Sequence, residues 1–263
     1  MSILFWSASV AQRIEHDPYE VGDAGSNPAR GISLGRLHSL LGWSLPLFIS
    51  SIVVETKAPA DRLQTVNKGI QILRDNDPRC LELESSGYKL VGESWGARLR
   101  LGNNGDMAIY TNAINRVLAD EVRIEELNAD FADALFDLEL VNNPDYPYTP
   151  ATSRALPSIG NIRSLWRQEN RIFGAISSGV LIGALATSRR ENLVELDFAS
   201  ILRDHRGKGI GKALAAAAIL EWVKQGIYLF GTGGASVNEA SFGTVTSLGF
   251  SVEERWRSYK RPL

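Results

Sequence analysis

The chain has 263 residues, 44% of them hydrophobic, with 28 lysines and arginines against 30 acidic residues and a formal net charge of −2. This suffices for a sizeable core, in one large domain or two smaller ones, and leaves no basic excess for gripping a phosphate backbone, so nucleic acid is not an expected partner. One cysteine, Cys80, rules out an internal disulfide, and three histidines spread far apart give no reason to expect a metal; so little thiol chemistry points to a reducing, cytoplasmic compartment.

Residues 1–32 string together Asp17-Pro18, Gly22-Asp23 and Gly25-Ser26-Asn27-Pro28 without apolar periodicity, which predicts disorder. Val10-Ala11-Gln12-Arg13-Ile14-Glu15-His16 and Ala24-Gly25-Ser26-Asn27-Pro28-Ala29 resemble the conceptual translation of a tRNA gene, whose T-loop would encode Gly-Ser-Asn-Pro. The resemblance implies a translation start further downstream. Leu40 to Val54 is shorter than the roughly 20 apolar residues of a spanning helix and is broken by Gly42, Ser44, Pro46, Ser50 and Ser51, so a buried strand or helix is expected there and no membrane anchor.

The β-branched run Ile49 to Glu55 predicts a strand, and Leu63, Val66, Ile70 and Leu73 predict a helix over Ala60 to Leu73. Asn76-Asp77-Pro78 opens a short helix ending at Gly87-Tyr88, and Val91 to Leu101 reads as a strand containing Trp95. After the loop Gly102-Asn103-Asn104-Gly105-Asp106, a helix is expected from Ala108 to Leu118 and a strand from Val122 to Leu127. Asn128 then caps a helix with Phe131, Leu135, Leu138 and Val141 on one face. Asn143-Pro144-Asp145-Tyr146-Pro147-Tyr148-Thr149-Pro150, with three prolines in eight residues, is a stiff loop that stops it. A short helix over Ser158 to Arg167 precedes a three-strand meander: Arg171 to Ser177, Val180 to Ser188 and Leu193 to Leu202, with Ser178-Gly179 as a hairpin turn.

The meander runs into Arg206-Gly207-Lys208-Gly209-Ile210-Gly211-Lys212, and a helix then continues to Lys224 and stops at Gly226. A glycine loop at a helix start leaves backbone N–H groups unpaired where the helix dipole favours negative charge, and so can hold a phosphate or pyrophosphate. Gly207 to Gly211 leaves three intervening residues where the P-loop needs four, and the alternating glycines depart from the dinucleotide pattern G-x-G-x-x-G. A strand over Ile227 to Phe230, a helix over Asn238 to Leu248 and a strand over Ser251 to Tyr259 complete the chain.

Arg206, Gly209 and Gly211 match the pattern Q/R-x-x-G-x-G/A, and Asn238-Glu239-Ala240-Ser241 leads at a matching spacing to Leu248-Gly249-Phe250. Together these resemble the acyl-CoA-binding segments of the GNAT superfamily of N-acyltransferases. For residues 122–263 the resemblance implies an α/β GNAT fold, a mixed, mostly antiparallel sheet with helices on both faces. A partial repeat precedes it: Asn76 matches Asn238, Ser85 matches Ser247, Gly87-Tyr88 matches Gly249-Phe250, and Glu93-Ser94-Trp95 matches Glu254-Arg255-Trp256. Residues 46–102 thus read as a truncated first GNAT-like unit.

The resemblance implies acetyl-CoA as co-substrate and a small-molecule or protein amine as acceptor. By position, Ile201, Leu202 and Arg203 would contact the pantetheine arm, Arg206, Gly207, Lys208, Gly209, Ile210, Gly211 and Lys212 would hold the pyrophosphate, and Asn238 would reach the pantetheine. Tyr146 and Tyr148 on the proline loop are candidates for acceptor contact. For the base that deprotonates the amine, Glu195 and Asp197 both stand in the strand before the loop, and a bulge there would change which of them faces the cleft. The family's usual tyrosine acid falls at Val245, which leaves Tyr259, Ser241 or Tyr148 as donors, or an unaided departure of the CoA thiolate, whose conjugate acid has a pKa of about 8.5. A catalytically silent acyl-CoA sensor is the rival reading.

Overall fold

The computed structural model describes residues 69–102, 105–147, 149–152, 157–167 and 170–262. The expectations for residues 1–32, for Leu40 to Val54, for the strand Ile49 to Glu55, for residues 60–68 and for Tyr148 lie outside the described residues. In chain order the elements are β1 (Ile70–Arg74), α1 (Arg79–Ser85), β2 (Lys89–Arg100), α2 (Ala108–Ala119), β3 (Val122–Glu126), a 3-10 turn leading into α3 (Ala132–Asn142), α4 (Ile159–Ser164), β4 (Arg171–Ser177), β5 (Val180–Arg190), β6 (Leu193–Ile201), α5 (Ile210–Val223), β7 (Leu229–Ala235), α6 (Glu239–Thr246) and β8 (Ser251–Lys260).

Two boundaries differ from the sequence reading. Ile70 to Leu73, expected as the end of a helix, form β1 and pair with β8 from Ile70↔Lys260 to Arg74↔Trp256. Four residues cannot distinguish a period of two from one of 3.6, and the ladder to β8 decides. The strand expected over Ile227 to Phe230 runs instead from Leu229 to Ala235, because Gly231, Gly233 and Gly234, which lay outside the expected strand, pair with β2.

The eight strands form one sheet in the order β1-β8-β2-β7-β6-β5-β4-β3. Every neighbour pair is antiparallel except β6 and β7, so the sheet is mixed and mostly antiparallel, as expected. On one face, called upper here, α2 and α5 pack with Trp95, Leu99, Leu196, Ile201, Phe230 and, from α6, Val245. On the lower face α3 and α4 pack with Ile172, Ala184 and Phe198. Helix α5 lies close to the sheet because Ala213, Ala215, Ala216 and Ala218 are fully buried small residues, and Leu214 and Ile219 beside them each contribute about 1.5–3 kcal/mol by burial.

The two units read in the sequence share this sheet. Strand β2 inserts between β7 and β8, and β8 in turn lies between β1 and β2, through pairs such as Ser94↔Trp256 and Trp95↔Arg255. Each βαβ unit thus brackets a strand of the other, and β2 becomes the neighbour of the strand that follows the glycine loop.

Candidate functional site

The glycine segment makes a turn into a helix, and the space over that turn is called the hollow here. Gly207 and Gly209 take φ of 75° and 85°, which other residues adopt only with strain, and α5 starts at Ile210. The N–H groups of residues 207 to 212 have no hydrogen-bond partner among the described residues, the first helical bond being Ala213 N–H to the Gly209 carbonyl at 3.0 Å. The hollow is open: a methyl group at Gly207 would meet nothing within 4 Å, and one at Gly209 only Val117, at 3.9 Å. Lys208 is exposed, while the Lys212 ammonium donates to the Ser247 carbonyl at the end of α6 at 3.2 Å. An anion entering would find six free N–H groups at the positive end of a helix dipole, which fits a diphosphate.

Beside the hollow, β6 and β7 part. They pair in parallel at Leu193↔Leu229, Val194↔Phe230 and Glu195↔Gly231, and no further. The Thr232 hydroxyl donates to the Leu196 carbonyl at 3.3 Å at the vertex, and beyond it residues 197–201 and 233–235 line an unzipped slot. Ile201, at its far end, is buried and its carbonyl accepts from Arg206 Nε at 2.8 Å.

Glu195 stands at the vertex on the lower face. It is 0% exposed, both its carboxylate oxygens lack a hydrogen-bond partner, and the Arg98 guanidinium is 3.6 Å from Oε1. Arg98 comes from the inserted strand β2, and both side chains lie over Gly231, where a Cβ would collide with the Glu195 carboxylate and sit 2.7 Å from Arg98 Nη1. Burial pushes the Glu195 carboxyl above the ordinary range, against the pull of Arg98 and Arg190, and Glu254 adds to the rise. A buried carboxylate with free lone pairs and a raised pKa is a stronger base than an exposed one and is suited to accepting a proton. Asp197 sits in a bulge, since Ala186 pairs with Phe198 and Thr187 with Leu196, and its Oδ1 accepts from the Ser188 hydroxyl at 3.0 Å.

Arg206 does not face the hollow. Its Nη1 donates to Asp145 at 2.8 Å and its Nη2 to Asn142 at 2.9 Å, besides the Nε bond to Ile201, and its backbone N–H goes to the Arg203 carbonyl. Arg203 also pairs with Asp145, and the Asn142 amide donates to the Ser200 hydroxyl at 2.8 Å. Arg203, then Arg206, hold the Asp145 carboxyl below the usual carboxylate range. This network ties the end of α3 to the end of β6. From there the proline loop crosses the lower face, so that Thr149 and Pro150 cover Gly92 of β2. Tyr146 is half-buried in that loop.

Helix α6 lies on the upper side of the slot. Asn238 is 2% exposed and its Oδ1 accepts from the Ser241 N–H at 3.2 Å, capping the helix. Val245 is buried in the core. Tyr259, one of the candidate acids, is corrected by the geometry: its hydroxyl donates to Glu84 at 2.7 Å beneath α1, strands β2 and β7 separate it from the slot, and burial together with Glu84 pushes its pKa up to about 12. Ser241 is fully buried with a hydroxyl that has no partner. Leu202 closes the end of β6, its N–H donating to the Ile182 carbonyl at 2.9 Å.

Sequence reasoning did not single out Arg98, Asn142, Asp145 or the glycines of β7. The run Gly231-Thr232-Gly233-Gly234 held the available signal, because glycines within a strand mark close approach by other groups. Among the described residues no group of three or more His, Cys, Asp or Glu side chains could hold a metal ion, and no helix is long and apolar enough to cross a membrane.

Residues 133–250 match the model of the Acetyltransferase (GNAT) family. Similar solved structures include a GCN5-related N-acetyltransferase from Sphaerobacter thermophilus, at 14% identity over 73% of this chain and 58% of that one with a TM-score of 0.51. A GCN5-related glucosamine N-acetyltransferase region of a fungal multi-domain β-N-acetylglucosaminidase matches at 12% identity over 72% of this chain and 24% of that one, TM-score 0.54. A tandem GNAT protein from the clavulanic acid biosynthesis pathway matches at 17% identity over 77% and 67%, TM-score 0.49. At these identities the likeness is one of fold. No curated protein matches in sequence.

Proposed function

We propose, from the premise that residues 133–250 are a GNAT-superfamily segment, that this acyltransferase moves the acetyl group of acetyl-CoA directly to a primary amine of a small molecule or protein in the cytoplasm. The observation that carries the reading is the open slot between β6 and β7, ending at a loop of unpartnered N–H groups. A diphosphate on residues 207–212 would leave the pantetheine arm running along β6 and the thioester near the vertex, within reach of the lower face. The amine nitrogen forms a bond to the thioester carbonyl carbon and gives a proton to Glu195. The tetrahedral adduct then collapses, the carbon–sulfur bond breaks and the CoA thiolate leaves with the electron pair. Positioning and polarisation of the carbonyl supply most of the rate gain, and no metal is called for. Tyr146, on a loop held by Asp145, and Tyr148 are the proposed contacts for the acceptor.

A second reading, an acyl-CoA-binding sensor without turnover, is favoured by Val245 in place of a hydroxyl donor. One experiment separates the two: acetyl-CoA binding by calorimetry, followed by free-thiol release with a panel of primary amines. Amine-dependent thiol supports the enzyme, and saturable binding without thiol supports the sensor. Lys208→Glu is expected to weaken binding at least tenfold by placing negative charge beside the diphosphate, and an unchanged affinity would remove the basis for both. Arg206→Glu is a poorer probe, because it would also unfasten the loop held by Asp145 and Asn142.

A further inference from the structure

We infer that Trp95 and Ser241 form a pair of hydrogen-bond donors at the upper side of the slot and receive a carbonyl oxygen of the acyl-pantetheine arm. The inference rests on the acyl-CoA reading and adds to it a binding residue from outside the family-matched segment.

Trp95 belongs to the inserted strand β2 and pairs directly with Gly234. Because Gly234 has no side chain, the indole lies across β7: a Cβ at Gly234 would be 2.9 Å from the Trp95 Cζ2 atom and 3.3 Å from Cε2. Cε2 is bonded to Nε1, so the indole N–H lies close to Gly234 of β7. On its other side β7 has already left β6, and the slot begins there. Phe242 of α6 meets the indole edge-on, at 5.5 Å between centroids and 81° between planes, which fixes the ring. Ser241 approaches the same glycine from above, its Oγ being 3.6 Å from the Gly234 Cβ position.

Both donors are unpartnered among the described residues, although Trp95 is 2% and Ser241 0% exposed. Leaving one such group buried and unsatisfied is costly, and two converging on one glycine at the edge of an open slot repeat that cost where a ligand would relieve it. The indole N–H can only donate and the Ser241 hydroxyl has no partner, so the complementary group is an oxygen acceptor. The pantetheine amides and the thioester are the carbonyls that would pass through the slot. An oxygen of the thioester would be polarised by the pair, whereas an amide oxygen would only be positioned.

Nitrogen–proton NMR of the labelled full chain tests this, since each of the six tryptophans gives one indole N–H signal and Trp95→Phe identifies the one at issue. Acetyl-CoA is expected to move the Trp95 signal downfield and slow its exchange with solvent. The same shift with CoA and with the thioether S-ethyl-CoA assigns the oxygen to a pantetheine amide, and a shift with acetyl-CoA alone assigns it to the thioester. Ser241→Ala, which preserves the packing, should weaken acetyl-CoA binding about three- to tenfold. Saturable calorimetric binding with a stationary Trp95 signal and undiminished affinity in Ser241→Ala would overturn the donor pair while leaving the acyl-CoA reading intact. An absence of binding by any of the three ligands would overturn that reading and the pair with it.

Discussion

The βαβ unit of β1, α1 and β2 and that of β7, α6 and β8 are built alike and used differently. Gly69 and Gly226 precede the first strands at φ of 97° and 80°, and Gly87 and Gly249 end the helices at 84° and 93°. Each unit lends a strand to the other. In the second, Asn238 caps the helix from its side chain, whereas the first helix starts behind Pro78, with Asp77 accepting the Arg79 N–H at 2.9 Å. The tryptophans that match in sequence, Trp95 and Trp256, fall on opposite faces, because Trp256 pairs with Ser94 and Trp95 with Arg255. A one-residue slip in strand register turns a side chain over. So Trp95 reaches the upper side of the slot while Trp256 lies under the Arg74 guanidinium, 5.2 Å from its ring centroid. The first unit has become a donor of side chains, Trp95 above β7 and Arg98 below it, each admitted by a glycine.

The sharpest way to break this arrangement is to remove Arg98. Arg98→Met strands the Glu195 carboxylate in the core and should cost about 3–5 kcal/mol in urea unfolding at pH 8, with most of the loss recovered in the Arg98→Met/Glu195→Gln double variant. Full additivity of the two changes would show that the ion pair does not couple the units. Next in size, Gly234→Ala places a methyl group against Trp95 and should cost about 1–3 kcal/mol, together with a change in tryptophan fluorescence.

Glu195→Gln sharpens the comparison through pH. Because the Glu195 carboxyl is raised in the folded state, the native protein holds that proton more tightly than the unfolded chain. Its contribution to stability is therefore greatest below the unfolded pKa, falls as pH rises toward the folded pKa and is flat beyond it. The variant should lose this decline, gaining relative to wild type at about 1.4 kcal/mol per pH unit within that window, as read by thermal melts across pH. Amine-dependent thiol release, if present in wild type, should disappear in it. The smallest effect is expected at Gly243 in α6, where a methyl group meets nothing within 4 Å: Gly243→Ala should stabilise by about 0.4–1 kcal/mol, and a loss there would mean the α6 face is more crowded than described.

Much of the layout was legible in the sequence, because the signals for it are local. The apolar run of Leu193 to Leu202, the glycine loop, the cap at Asn128 and the stop at Gly226 act over a few residues, and the elements form close to where these marked them. Glu195 was legible as a candidate and Arg98 was not, since nothing within ten residues of Arg98 indicates what it meets. The bulge that separates Glu195 from Asp197 was foreseen in kind, but the pairing of Ala186 with Phe198 fixes where it falls.

The amino-acid sequence by itself determined that a glycine loop would start a helix after a three-strand meander, because backbone conformation and hydrophobic period are set by neighbours along the chain. The tertiary structure decided which strand lies beside β7, what fills the space over Gly231 and Gly234, and that Arg206 fastens the proline loop instead of facing the hollow. Those outcomes depend on pairing between residues roughly 160 positions apart, such as Ser94 with Trp256, where burial and register on an assembled sheet choose among partners that local propensity leaves equivalent.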